Sequence, residues 1–150
     1  GDDEPAVTAE CLTEIMTLDA ARSLEFVAAF LRSDDDELAQ AAALSLGRPG
    51  TSAAFEALRD HRTRTVLSPA MEDATLLAIA LTRRDEAVDY LLSVIADDTP
   101  RTAGRAVAAL RIYADGAHGT RKVRDAVRAR NVPLAWDAFR EHFPSDDDRS

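Results

Sequence analysis

Apolar residues recur at every third or fourth position along most of the chain, with polar residues between them. This spacing puts the apolar side chains on one face of an α-helix. Residues typical of helix ends separate the periodic stretches. Ser68-Pro69 and Thr99-Pro100 each combine a capping hydroxyl with proline at the first helical position, and the glycines and proline of residues 47–50 end a helix. The pattern therefore predicts helices over nearly the whole sequence.

Further breaks place the remaining helix ends. Asp19, Thr51 and Thr120 are predicted to cap helices, and Pro133 is predicted to open a last short helix. The acidic residues 34–37 supply a cap and first-turn carboxylates, which suit the positive end of a helix dipole. Together these signals predict about nine helices with short connections, and no stretch is long enough to build a sheet.

One layout appears three times, in residues 37–60, 73–98 and 102–130. Each copy has a cap, an alanine-rich helix that ends in alanine and leucine, a break, and a second helix with apolar residues on one face. Residues 43–47 correspond to residues 78–82, about 35 positions later. Such repetition predicts antiparallel helix pairs, each of which buries its apolar stripe against the next pair. An irregular helical bundle is the alternative.

A family resemblance lies in residues 26–47, which read FVAAFLRSDDDELAQAAALSLG. This stretch resembles the bacterial HEAT repeat, in which an apolar helix ends in an acidic turn and an alanine-rich helix ends in leucine and glycine. Weaker copies follow, so the resemblance covers roughly residues 20–130. The sequence departs from the family at Thr82, where glycine is usual, and in the loop around His118.

The resemblance implies an all-α fold, an α-α superhelix of the HEAT/armadillo-like solenoid kind with about nine helices in antiparallel pairs. It implies binding of other proteins and, in the phycobilisome-lyase-like branch of the family, handling of chromophores. It carries no catalytic residue over to this chain. We expect a single solenoid domain over residues 1–144 and a disordered acidic tail over residues 145–150.

The charge distribution singles out one segment. The chain has a formal net charge of −9, yet residues 101–130 contain eight arginine and lysine residues against two aspartates. Arg121, Arg124 and Arg128 are spaced three and four apart and therefore share one side of a helix. With Arg105, Lys122 and Trp136 they form the candidate partner-binding set. The alternatives are that the cations pair with acidic faces of neighbouring repeats or with a downstream segment, and that Trp136 caps the end of the core.

Other candidate chemistry is sparse. The three histidines, His61, His118 and His142, are far apart in sequence and lack the spacing of metal ligands, so we expect them to be exposed or incidental. Cys11 is the only cysteine and falls on an apolar stripe, which predicts a buried structural thiol. Residues 34–37 lack the glycine and closing glutamate of a calcium loop. We therefore expect no catalytic residue, no bound metal and no cofactor.

These observations favour a non-enzymatic scaffold that binds a protein partner. The alternatives are a lyase-like or chaperone-like subunit acting on a chromophore-bearing protein, and weak nucleic-acid binding through the arginine-rich helix. The acidic remainder of the chain argues against nucleic acid as the partner. With one cysteine the chain cannot form an internal disulfide, which favours a reduced cytoplasmic setting. No stretch approaches the roughly 20 apolar residues that cross a bilayer, so we expect no membrane partner.

Overall fold

A computed structural model describes residues 11–12 and 20–144, and every regular element in these ranges is helical. The α-helices are α1 (Ala20–Ala29), α2 (Asp36–Gly47), α3 (Ser52–Arg64), α4 (Pro69–Leu81), α5 (Asp85–Asp97), α6 (Pro100–Ala109), α7 (Ala117–Arg130) and α8 (Pro133–His142). Short 3-10 helices follow α1 and α6, at Phe30–Arg32 and Leu110–Tyr113. The all-helical prediction is confirmed. The predicted cap Asp19 and most of the helix before it lie outside the described residues.

The predicted helix starts in the middle of the chain are confirmed. Asp35, Thr51, Ser68 and Thr99 each adopt an extended backbone and accept a hydrogen bond from the backbone N–H three residues later, over 3.1–3.2 Å. Each bond satisfies one of the N–H groups that a helix leaves unpaired at its start. Pro69 and Pro100 follow their caps at the first helical position, as expected.

The predicted cap at Thr120 is wrong. Helix α7 begins at Ala117 after the extended residue Gly116, so Thr120 lies inside the first turns and is buried. Its hydroxyl donates to the carbonyl of Ala114 over 3.4 Å. Gly119 lies within α7 and close to Tyr113, so that a Cβ on Gly119 would come within 2.7 Å of the tyrosine Cβ. The glycine serves close packing rather than a loop.

The chain divides into two compact units at the turn between α4 and α5, residues 1–84 and residues 85–150. In the first unit the most extensive packing joins α2 to α4, two helices apart in sequence. A Cβ on Gly47 would lie 2.4 Å from the carbonyl oxygen of Ala78, so only glycine allows this approach. Leu46, Leu58 and Ile79 are completely buried in the core of this unit.

Thr82, the predicted departure from the repeat pattern, ends α4 without a glycine. Its buried hydroxyl donates to the carbonyl of Ile79 over 2.7 Å. The left-handed turn falls on the next residue, Arg83, with φ 56°. Beyond it, Arg84 donates to the carbonyl of Gly50 over 3.2 Å and ties the end of this unit to the turn after α2. A side-chain bond and a left-handed arginine thus end the helix here.

In the second unit the most extensive packing joins α6 to α8, again two helices apart. Here a Cβ on Gly104 would lie 3.0 Å from the carbonyl oxygen of Leu134. Helix α5 packs against α6 and α7, with Leu91 and Ile95 completely buried. Asn131 ends α7 in the left-handed conformation, φ 53°, which asparagine tolerates better than most residues. The prediction of one domain over residues 1–144 stays a prediction, and residues 145–150 lie outside the described part.

Candidate functional site

The basic segment forms α7 and its flanks in the second unit. Val123 and Val127 are buried on one side of α7, together with Thr120. An α-helix completes one turn every 3.6 residues, so Arg121, Lys122 and Arg128 point away from this apolar side and are exposed. We call these three residues the cationic face.

No described residue forms an ion pair or a hydrogen bond with the side chains of Arg121, Lys122 or Arg128. Asp125 and His118 are also exposed on α7, so one carboxylate lies among the cations. Three positive charges with one negative charge on the same helix leave a net positive surface. The cationic face therefore has capacity for an anionic group from outside the described part of the chain.

Arg124 differs from its neighbours at either side. It is half-buried, and its guanidinium carbon lies 5.8 Å from the ring centroid of Phe139 on α8. This is a cation–π distance, so the guanidinium contributes to packing between α7 and α8. Arg105 on α6 is also half-buried and interacts with other residues of the protein. The structure thus brings Arg121, Lys122 and Arg128 together at the surface and places the other two cations in internal contacts.

Trp136 is half-buried on α8. Its indole N–H donates to the side-chain oxygen of Asn131 over 3.2 Å, and its ring meets Phe139 edge to face with centroids 6.0 Å apart. The guanidinium carbon of Arg140 lies 5.9 Å from the indole centroid. These contacts orient the indole against the end of α7 and link it to the Phe139 and Phe143 stack. They assign Trp136 a role in the fold of the second unit.

Arg130, the last cation of the basic segment, also serves the fold. Its guanidinium donates to the carbonyl of Ala96, near the C-terminal end of α5. A cation at this position is stabilising, because it lies near the negative end of the α5 dipole. Sequence reasoning missed this contact because it joins residues far apart in the chain, and no local pattern distinguishes Arg130 from Arg128.

The histidines do not form a site. Of the three histidines expected to be exposed or incidental, His61 is buried, at 9% exposure, and its Nε2 makes no hydrogen bond within the described residues. Burial, and then the positive charge of Arg32, lowers the pKa of His61 below 6.5. His118 is exposed, and His142 lies 3.8 Å from the carboxylate of Glu141. In residues 11–12 and 20–144, no three histidine, cysteine or acidic side chains are grouped to hold a metal.

Two other predictions from the sequence have clear outcomes. Cys11 is exposed, so the prediction of a buried thiol is wrong; the apolar spacing did not distinguish it from Leu12, which is buried instead. The acidic residues 34–37 act as predicted at a helix start, with Asp35 as cap and Asp36 and Glu37 in the first turn of α2. Among the described residues, no helix has both the length and the apolar character needed to cross a membrane.

Searches against protein-family models, curated proteins and solved structures found no match to this chain.

Proposed function

We propose that this protein is a non-enzymatic interaction module that binds an acidic segment of a partner protein on the cationic face. The observation that carries the proposal is that Arg121, Lys122 and Arg128 are exposed without an ion-pair partner among the described residues. Each exposed pair with a carboxylate contributes about 0.2–1 kcal/mol, so three pairs give a weak, salt-sensitive interaction. We do not assign Arg105, Arg124 or Trp136 to the binding surface, because each of them makes contacts within the protein.

We also propose that the helices stack as a HEAT-like solenoid. Two facts support this arrangement. Within each unit the most extensive packing joins helices two apart in sequence, as it does in a two-layer stack of helix pairs. Each of these contacts also includes a glycine, Gly47 or Gly104, whose Cα lies close to the backbone of the other helix. A crystal structure in which successive pairs stack with one sense of rotation supports the proposal, and a non-repeating arrangement overturns it.

A binding titration tests the proposed function. The probe is a fluorescent peptide of alternating glutamate and serine, and its anisotropy is followed as the protein is added at low salt. We expect binding by the unmodified chain and a loss of about tenfold or more in affinity for R121Q/K122Q/R128Q. The matched control is R48Q/R64Q/R101Q, which removes three exposed arginines outside α7 and changes the net charge equally.

Three outcomes contradict the proposed function. Equal losses in the two triple variants mean that net charge, rather than the cationic face, attracts the peptide. No binding to the unmodified chain or to any variant removes the acidic-segment proposal. Tighter binding of a short DNA duplex than of the peptide, with a steep decrease as salt rises, favours a nucleic acid instead.

A further inference from the structure

A single carboxylate lies at the centre of the cationic face. Asp125 is exposed on α7. It lies four residues after Arg121, three after Lys122 and three before Arg128. Residues three or four apart on a helix are neighbours, with Cβ atoms about 5–6 Å apart, so all three cations flank this carboxylate. Within the described residues Asp125 forms no ion pair and no hydrogen bond, so the face presents a negative position between positive ones.

The spacing of the two arginines favours one shape of partner. Arg121 and Arg128 are seven residues apart on α7, so they lie on nearly the same side and about 10.5 Å apart along the helix axis. A second helix with carboxylates seven residues apart repeats this distance on one side. An extended segment places same-side carboxylates about 7 Å or about 13 Å apart, because its side chains alternate between two sides. A helix aligned with α7 therefore matches the face better than an extended chain does.

The face has no apolar anchor for a partner. The large apolar side chains that are exposed in the described part of the chain are Phe26, Val66 and Leu134, and none of them belongs to α7. Charged groups contribute mainly to the choice of partner, because like charges brought together are unfavourable. The order of charges along α7 is therefore the feature that selects a partner.

We infer that the cationic face binds a partner helix in which two carboxylates seven residues apart flank a lysine or arginine, and that Asp125 pairs with this central cation. This binding mode rests on the proposed function and specifies the charge order of the partner. The two carboxylates pair with Arg121 and Arg128. A carboxylate in the central position would instead meet Asp125, so this residue favours an alternating order of charges over a continuous acidic run.

Two helical peptides test the role of Asp125. In the first, two glutamates seven residues apart flank a lysine; in the second, a glutamate replaces the lysine. The lysine follows the first glutamate by three residues in one version and by four in another, because a partner can run in either direction along α7. Each peptide is added at low salt to the isotope-labelled full chain, and affinities are obtained from the backbone amide shifts of residues 117–130.

D125N is expected to change the two affinities in opposite directions. It removes one exposed ion pair with the lysine-centred peptide, so we expect about two- to fivefold weaker binding. It removes a repulsion from the all-glutamate peptide, so we expect tighter binding by a similar factor. The matched control D89N removes an exposed carboxylate on α5, outside the face, and is expected to change both affinities in the same direction and by less.

The pairing of Asp125 is overturned if D125N changes both affinities in the same direction or leaves both unchanged. Tighter binding of both peptides means that Asp125 only lowers the net charge of the face or pairs with a cation within α7. Opposite changes of equal size in D89N also overturn the pairing. In all of these cases a loss of binding in R121Q/K122Q/R128Q still supports the proposed function.

The alternating glutamate and serine peptide separates failure of the pairing from failure of the proposed function. If this peptide binds the unmodified chain and neither helical peptide does, only the partner helix is overturned. If none of the peptides binds, the proposed function is overturned and the partner helix with it.

Discussion

Each unit has a close contact between two helices at a glycine, but the two contacts differ in how much space they leave for a side chain. In the first unit, α2 approaches α4 so closely that a Cβ on Gly47 would be 2.4 Å from a backbone oxygen of Ala78. In the second unit, the equivalent distance from Gly104 to Leu134 is 3.0 Å, and Leu134 is in the first turn of the short helix α8. The first contact excludes any side chain. The second needs a shift of only a few tenths of an ångström.

The units also use charge differently. In the first, Arg62 of α3 binds Glu72 of α4 over 2.9 Å, with side-chain exposures of 13% and 17%. In the second, the ion pair Arg140–Asp137 has exposures of 69% and 66%, and the cationic face has no ion pair within the described residues. The Arg62–Glu72 pair therefore contributes to the fold of the first unit, whereas the Arg140–Asp137 pair and the cationic face of the second unit are exposed to solvent. This difference is why we place the candidate binding site in the second unit.

The largest expected effect comes from the glycine contacts. Gly47→Ala forces a methyl group against a backbone carbonyl, and we expect a loss of about 3 kcal/mol in the free energy of unfolding. For Gly104→Ala we expect a net loss below about 1 kcal/mol, because the better helix propensity of alanine offsets part of a milder clash. Denaturant unfolding measures both. Equal losses contradict the proposed difference in tolerance.

The next effect comes from the ion pairs. Glu72→Gln removes the carboxylate that faces the half-buried Arg62, and we expect a loss of about 1–2 kcal/mol. Asp137→Asn breaks an exposed pair, and we expect a loss below about 0.5 kcal/mol. Urea midpoints at low salt and at about 1 M salt compare the two, since screening weakens exposed pairs more than buried ones. If D137N loses more stability than Glu72→Gln, the ion pair of the first unit is not the one that contributes more to the fold.

A smaller effect follows from His61 in the first unit. Its folded-state pKa lies below the unfolded value of about 6.5, so folding favours the neutral imidazole. The unfolded chain therefore takes up a proton first as the pH falls, and stability decreases below about pH 6.5. We expect lower urea midpoints at about pH 5.5 than at about pH 7.5, a range in which most carboxylates stay ionised. His61→Gln is expected to reduce this dependence; an unchanged pH profile in the variant assigns it to other groups.

Local signals in the sequence were enough for the helices but not for every helix end. Caps followed by proline at Ser68 and Thr99 gave correct starts because the bonds they make span only three residues. Thr120 failed because threonine also serves inside a helix, where its hydroxyl bonds a preceding carbonyl. The left-handed Arg83 was not predictable, since arginine has no intrinsic preference for that conformation.

The location of the candidate site was predictable from the sequence, but the residues that belong to it were not. The excess of arginine in residues 101–130 identified the second unit directly. Spacing alone grouped Arg124 with Arg121 and Arg128, although the guanidinium of Arg124 packs over the ring of Phe139. The distinction between them depends on how α8 packs against α7, and the spacing of the arginines within α7 does not reveal that packing. Burial of His61 and exposure of Cys11 were missed for a related reason, because periodicity does not reveal where a neighbouring helix lies.

The smallest expected effect on stability is the one that separates binding from folding in the second unit. R121Q/K122Q/R128Q removes three exposed cations that lack ion-pair partners among the described residues, so we expect the free energy of unfolding to change by less than about 0.5 kcal/mol. The same variant is expected to lose the acidic peptide probe. Arg124→Gln provides the contrast, because it removes the contact with Phe139 and is expected to cost about 1 kcal/mol without abolishing binding. A triple variant that unfolds more easily than Arg124→Gln assigns the cationic face to the fold, since its charges then contribute to intramolecular pairing.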